Sequence, residues 1–188
     1  MLLNNFSNWI IKASSKGGLI AEKDEEIYLF GIETALLKLI HFSTMLIIGL
    51  CAGKLLETFV FIVSYSTLRV YAGGYHAKTR LRCYGISWLL ILFVLLFTEF
   101  CPNQIAFVVS ILVSLPSYFI IFLLAPVDNI NKPLDDTEIH HYKIKARIVL
   151  SVELIISMIF LFTYLIQISL IVSLSIFSVA IMLVVGKT

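Results

Sequence analysis

The sequence predicts an all-α, polytopic integral membrane protein with about six transmembrane helices and an N-terminal amphipathic interfacial helix. Three observations carry that expectation. Of 188 residues, 60% are hydrophobic and only 14% are charged, against about 45–50% apolar and about 25% charged in soluble domains. The surplus apolar surface has to face lipid. Apolar runs recur at 34–53, 55–70, 85–100, 104–125, 148–165 and 167–185, at or near the roughly 17–25 residues a helix needs to span. Finally, Lys and Arg concentrate in alternate connections. The segment 69–85 holds Arg69, Lys78, Arg80 and Arg82, and 126–147 holds Lys132, Lys143, Lys145 and Arg147. The connections 99–104 and 164–169 hold none, and 51–57 holds only Lys54. With six spans, every basic segment falls on one side, the cytoplasmic side by the positive-inside rule. Both termini and the segments 69–85 and 126–147 are then expected in the cytoplasm, with the chain in the plasma membrane.

The elements follow in order. In residues 1–16, Leu2, Leu3, Phe6, Trp9, Ile10 and Ala13 recur at spacings of three and four. Such a stripe beside Lys12 suits a helix lying in the interface plane, with Trp9 at headgroup depth, or one packed on the protein's own helices. Residues 1–33 form this interfacial segment in a single membrane-embedded domain, 1–188. No cleavable leader is expected, because Asn4, Asn5, Ser7 and Asn8 interrupt the early apolar residues. In the first span, Glu33 and His41 lie about 80° apart at about 100° per residue. They share a broad face and are candidates to line a polar cavity, or simply sit at interface depth.

The segment between the second and third spans carries the chemistry. It reads Arg69-Val-Tyr-Ala-Gly-Gly-Tyr-His76-Ala-Lys-Thr-Arg-Leu-Arg-Cys83. Of Cys51, Cys83 and Cys101, only Cys83 lies among cations; the others sit in or beside apolar runs, as small buried hydrophobes do. Neighbouring cations and a helix N-terminus both favour a thiolate, and an imidazole is the usual base that makes one. In one straight helix, His76 and Cys83 would stand about 10.5 Å apart along the axis. The segment must therefore bend, and Gly73-Gly74 supplies the freedom. The expected path is helix, glycine turn, short hairpin, helix. Backbone N–H groups at the start of the third span are candidates for an oxyanion hole. Arg69 is a candidate for gripping a substrate carboxylate, or for a structural role at a helix C-terminus.

The pattern Arg69-x-x-x-Gly73-Gly74-x-His76-Ala77-x5-Cys83 resembles the signature of the accessory gene regulator B family, membrane cysteine endopeptidases of bacterial quorum sensing. The resemblance spans nearly the whole chain. It includes Asp24-Glu25-Glu26-Ile27-Tyr28 with Gly31 and Glu33, then Ala125-Pro126-Val127 and Asn131-Lys132-Pro133-Leu134. It implies Cys83 as nucleophile and His76 as base. It further implies a short precursor peptide with an amphipathic helix, a pheromone segment and an acidic tail; the tail is removed and the pheromone segment closed into a thiolactone or lactone. Arg69, Gly73, Gly74, Lys78, Arg80, Arg82 and Glu33 are the candidate substrate-binding set. The expected partners are that peptide, membrane lipid and, as a candidate, a second copy of the chain, with no nucleic acid. No cofactor is expected.

Two rival readings use other residues. Asp135, Asp136 and Glu138 could hold Mg²⁺ in a membrane transferase, or simply open a helix that ends in cations. His140-His141 lack a partner pair for zinc. A non-enzymatic peptide transporter is the other rival, weakened by the lack of broken mid-membrane helices.

Overall fold

The computed structural model describes residues 24–75, 79–127 and 134–187. The described chain is all-helical: α1 Glu25–Cys51, α2 Leu55–Ala72, α3 Arg80–Phe100, α4 Asn103–Leu124, α5 Asp136–Phe162 and α6 Ile166–Lys187. The amphipathic helix expected over residues 1–16 lies outside the described residues. Contacts divide the chain into a unit ending at Met45 and a unit from Leu46 onward. In the first, α1 begins well before the apolar run at 34. Glu25 and Glu26 occupy its first turn, where carboxylates meet the positive end of the helix dipole.

The second unit is organised around α6. Of its apolar stretch, 67% is buried, against 22% for each of α2, α3 and α4. The outer helices show why. Each buries a single stripe at spacings of three and four: Thr58, Phe61, Ser64, Leu68 and Ala72 on α2; Ala106, Ser110, Ser114, Ser117 and Ile121 on α4; Ala146, Leu150, Glu153, Ser157 and Leu161 on α5. That is one face of a 3.6-residue helix. The opposite faces carry exposed Phe59, Leu112, Leu123, Ile148 and Ile155, as lipid contact requires. Buried α6 encloses Leu170, Ile171, Ile176, Val179 and Leu183, interspersed with buried Ser169, Ser173, Ser175 and Ser178.

Small polar residues join these helices where lipid offers no hydrophobic drive between them. Ser64 Oγ of α2 donates to Glu153 Oε2 of α5 at 3.0 Å, and Ser64 also meets the hydroxyl of Ser175 on α6. One turn further along α5, Ser157 lies 3.0 Å from both Ser169 and Ser173.

Among the described residues, five helices are long and apolar enough to cross a membrane: α1, α2, α4, α6 and the Leu81–Phe100 stretch of α3. The expected fifth span, 148–165, is the second half of α5, whose first half carries Lys143, Lys145 and Arg147. The described residues thus form an all-α polytopic membrane protein, with six helices among them. At one end, the turns join Lys54 Nζ to Glu99 at 2.6 Å and Gln167 Nε2 to Cys101 O at 2.9 Å. The opposite end gathers the close of α2, the start of α3, the close of α4, the start of α5 and the close of α6. Cys101 is buried as expected, but Cys51 is exposed on the apolar surface.

Candidate active site

The site is assembled at that second end. Helix α2 stops at Ala72 because Gly73 and Gly74 take φ values of 71° and 106°, open to glycine and costly for other residues. The Gly73 N–H still donates to Arg69 O at 3.1 Å, closing the last turn. The chain then leaves α2 and is caught by two distant segments. Gly74 N–H donates to Val127 O at 3.2 Å, Val127 N–H to Ala72 O at 2.9 Å, and Tyr75 N–H to Met182 O at 2.8 Å. Gly73 and Val127 pair as a parallel bridge. The glycine turn is therefore as expected, but its described half pairs with the segment after α4. The hairpin expected further on falls on residues 76–78, outside the described residues, as do His76 and Lys78 themselves.

Arg69 sits in the last turn of α2 and reaches forward. Its Nη2 donates to the carbonyl of Tyr75, and its Nη1 is buried against Gly74. Of the two roles open for Arg69, this contact is the structural one: it holds the peptide group that leads into residue 76. Tyr65 sits one turn earlier on the same helix, and Cys83 lies within electrostatic reach of both.

Helix α3 begins at Arg80 because Thr79 caps it. Its side chain accepts from Arg82 N–H at 3.3 Å, a favoured use of Thr at this position. Cys83 N–H makes the next bond, to Thr79 O at 3.1 Å. Cys83 is thus in the first turn of α3, with its thiol exposed. The amides of Arg80 and Leu81, ahead of that bond, belong to the group every helix start leaves without intrahelical acceptors. Arg82 is exposed. Glu33 is on α1, partly buried within the N-terminal unit.

The second basic segment packs at the same end. Arg147 lies over the Phe122 ring at 4.0 Å and donates to Phe122 O at 3.2 Å. Lys145 lies 5.4 Å above the Tyr71 ring. The acidic cluster is used locally. Asp135 accepts from Thr137 N–H at 2.6 Å and from the Glu138 N–H, while Glu138 accepts from Asp135 N–H at 3.4 Å; the two bonds between Asp135 and Glu138 form a capping box for α5. The bonds from the Thr137 backbone and then its hydroxyl hold the Asp135 carboxyl below its ordinary range. Among the described residues, no group of three His, Cys, Asp or Glu side chains is placed to hold a metal.

Three elements of the site carried no side-chain signal. Met182 and Val127 contribute backbone atoms, and Gly186 contributes the lack of a side chain: a Cβ there would lie 2.2 Å from Tyr75 N. Tyr65 gave a weak signal as a tyrosine one helical turn before Arg69.

Fold and site together define a polytopic membrane protein with an exposed thiol on the first turn of one helix, beside a glycine segment pinned by two others. The chain belongs to the accessory gene regulator B family, whose model matches residues 3–183. It is 29% identical over 138 residues to "Putative AgrB-like protein 2" of Clostridium perfringens, covering 71% of this chain and 64% of that protein. It is 35% identical over 129 residues to "Putative AgrB-like protein" of Listeria innocua, covering 66% of this chain and 61% of that one. The matched part of the chain thus spans under two thirds of these relatives' length. No solved structure matches the chain.

Proposed function

We propose that this chain is a membrane cysteine endopeptidase that cuts the acidic tail from a short quorum-sensing precursor and promotes closure of the pheromone segment. The observation that carries the reading is the exposed Cys83 thiol on the first turn of α3, in a chain of the accessory gene regulator B family. The glycine segment leading to His76 is fixed at the same end of the bundle.

The chemistry follows from these groups. Cys83 thiolate attacks the scissile carbonyl and a C–S bond forms. The peptide C–N bond breaks, and the departing amine takes its proton from His76. The acyl group remains on Cys83 as a thioester. A thiol or hydroxyl within the substrate then gives its proton to His76 and bonds to the acyl carbon, which frees Cys83 and closes the ring. Intramolecular capture gains from high effective molarity. The first-turn amides of α3 are the proposed donors to the oxyanion. Lys78, Arg80 and Arg82 are the proposed contacts for the acidic tail, with Gly73 and Gly74 shaping the floor and Glu33 a further substrate contact. The site faces the cytoplasm, as do both termini, and the substrate's amphipathic helix lies in the membrane plane.

The test is cleavage of the precursor by purified protein in vesicles. Cys83→Ala should abolish cleavage while the protein still inserts, and Cys51→Ala and Cys101→Ala should cleave near normally. His76→Ala should lose cleavage and slow alkylation of Cys83 at neutral pH. Activity should survive a strong chelator. Wild-type cleavage by Cys83→Ala would end the cysteine-peptidase reading.

A further inference from the structure

We propose that the last turn of α6, through Gly186 and the carbonyl of Met182, positions the catalytic segment, and that Gly186 is required because no side chain fits between that turn and the backbone of residues 74–75. This rests on the peptidase reading above. It adds a positioning residue more than 100 positions away in sequence from the residues that carry the chemistry.

The contact is backbone against backbone. Tyr75 N–H donates to Met182 O at 2.8 Å. A carbonyl has two lone pairs, so Met182 O can serve this bond as well as its own helix. Gly186 lies one turn beyond Met182 on the same helix face, directly over the bond. A Cβ built on Gly186 would meet Tyr75 N at 2.2 Å, Gly74 C at 2.5 Å and Gly74 Cα at 2.9 Å. None of these atoms belongs to a flexible side chain that could swing away. The fit is reciprocal, because a Cβ on Gly74 would meet Met182 O at 2.7 Å.

The far side of the strand is closed too. Arg69 Nη2 holds the Tyr75 carbonyl, and Val127 holds Gly74. Tyr75 is therefore gripped at its N–H by α6 and at its C=O by α2. Because the peptide unit is planar, fixing that carbonyl fixes the direction in which the chain enters residue 76. A methyl group at 186 has one outlet: the strand and the end of α6 must part. A shift of about 1 Å at a catalytic group can cost on the order of a hundredfold in rate, while contacts that bind a substrate tail elsewhere are left intact.

The experiment compares full-length wild type, Gly186→Ala, Gly85→Ala and Cys83→Ala in vesicles. Gly85 is on α3 at the same end, and a Cβ there meets nothing within 4 Å, so it controls for the substitution itself. The readouts are precursor kcat and KM, alkylation of Cys83 by iodoacetamide, and hydrogen exchange of the Tyr75 amide. Gly186→Ala should lower kcat by about tenfold or more with KM within about twofold, slow Cys83 alkylation, and release the Tyr75 amide to exchange. The amides of α6 through Val179 should stay protected, and Gly85→Ala should behave as wild type. Wild-type kcat in Gly186→Ala, with Cys83→Ala inactive, overturns the positioning role and leaves the peptidase reading standing. Cleavage by Cys83→Ala overturns both. Free exchange of the Tyr75 amide in the wild type overturns the positioning role whether or not the variant folds.

Discussion

Arg69 shows how one residue can tie together the segments that meet at one end of the bundle. It closes α2 with its own carbonyl, holds the Tyr75 carbonyl with its guanidinium, and keeps Cys83 within reach of its charge. Lysine could supply the charge but not the planar fork. Arg82, on the first turn of α3, has a different character. Arg82 is exposed, so any pairing with an acidic tail is screened by salt and contributes about 0.2–1 kcal/mol per pair. Lys78→Gln and Arg82→Gln should each raise KM several-fold at low ionic strength, with the difference vanishing as salt rises. The measurement is cleavage of acidic-tailed and neutral-tailed precursors across ionic strength. Equal penalties on both tails would assign these cations to topology alone.

Among the described elements, the α2–α5–α6 contact is a polar buried junction. Glu153 is 7% exposed and Ser175 fully buried, and Ser64 links them. Removing the carboxyl leaves the Ser64 hydroxyl without that acceptor in a medium that offers no replacement, a cost of about 1–3 kcal/mol. Glu153→Ala should lower the thermal midpoint in detergent by several degrees, whereas Glu153→Gln, which keeps the acceptor oxygen, should lose much less. Similar midpoints for both would mean the junction is held by packing alone. At the exposed start of α5 the Asp135 cap has the opposite pH behaviour to a buried acid. Its carboxyl titrates below the unfolded value, so its contribution is present at neutral pH and fades as pH falls through that lowered value. The helices were legible because each outer one writes its buried stripe at helical spacing. The start of α1 was not, since the apolar run opens at 34 while the helix opens at Glu25; its first turns carry charge that suits a helix N-terminus but lowers hydropathy. Gly73-Gly74 and the Cys83 helix start could be read from residue type. The anchors at Val127 and Met182 could not, because backbone atoms leave no mark in a sequence. Gly186 in an apolar run looks like any other membrane glycine.

For the molecule as a whole, the ends of the bundle differ sharply. One end gathers Arg69, Arg82, Lys145 and Arg147, with Arg147 and Lys145 resting on the rings of Phe122 and Tyr71. The other offers Lys54, already paired with Glu99. By the positive-inside rule, the orientation we propose has the first end in the cytoplasm. On intact cells, a membrane-impermeant maleimide should miss Cys83 and label a cysteine placed by Asn103→Cys. Labelling of Cys83 with silence at position 103 would invert the arrangement and place the chemistry outside.

The bond between Tyr75 and Met182 also sets an order of events during synthesis. The thiol, the glycine turn and Arg69 all leave the ribosome long before the residue that completes their frame. Until α6 has been made, inserted and seated among its neighbours, the Tyr75 amide lacks the acceptor it has in the finished fold. A nascent chain halted before Ile166 should therefore enter the membrane yet leave the precursor uncut, and co-expressing residues 166–188 as a separate helix should restore cleavage, as fragments of helical membrane proteins can reassemble through packing. Activity from the halted chain alone would show that the frame is dispensable. On the proposed reading, maturation is in that sense timed by α6: the Cys83 thiol stays out of function until that helix is seated.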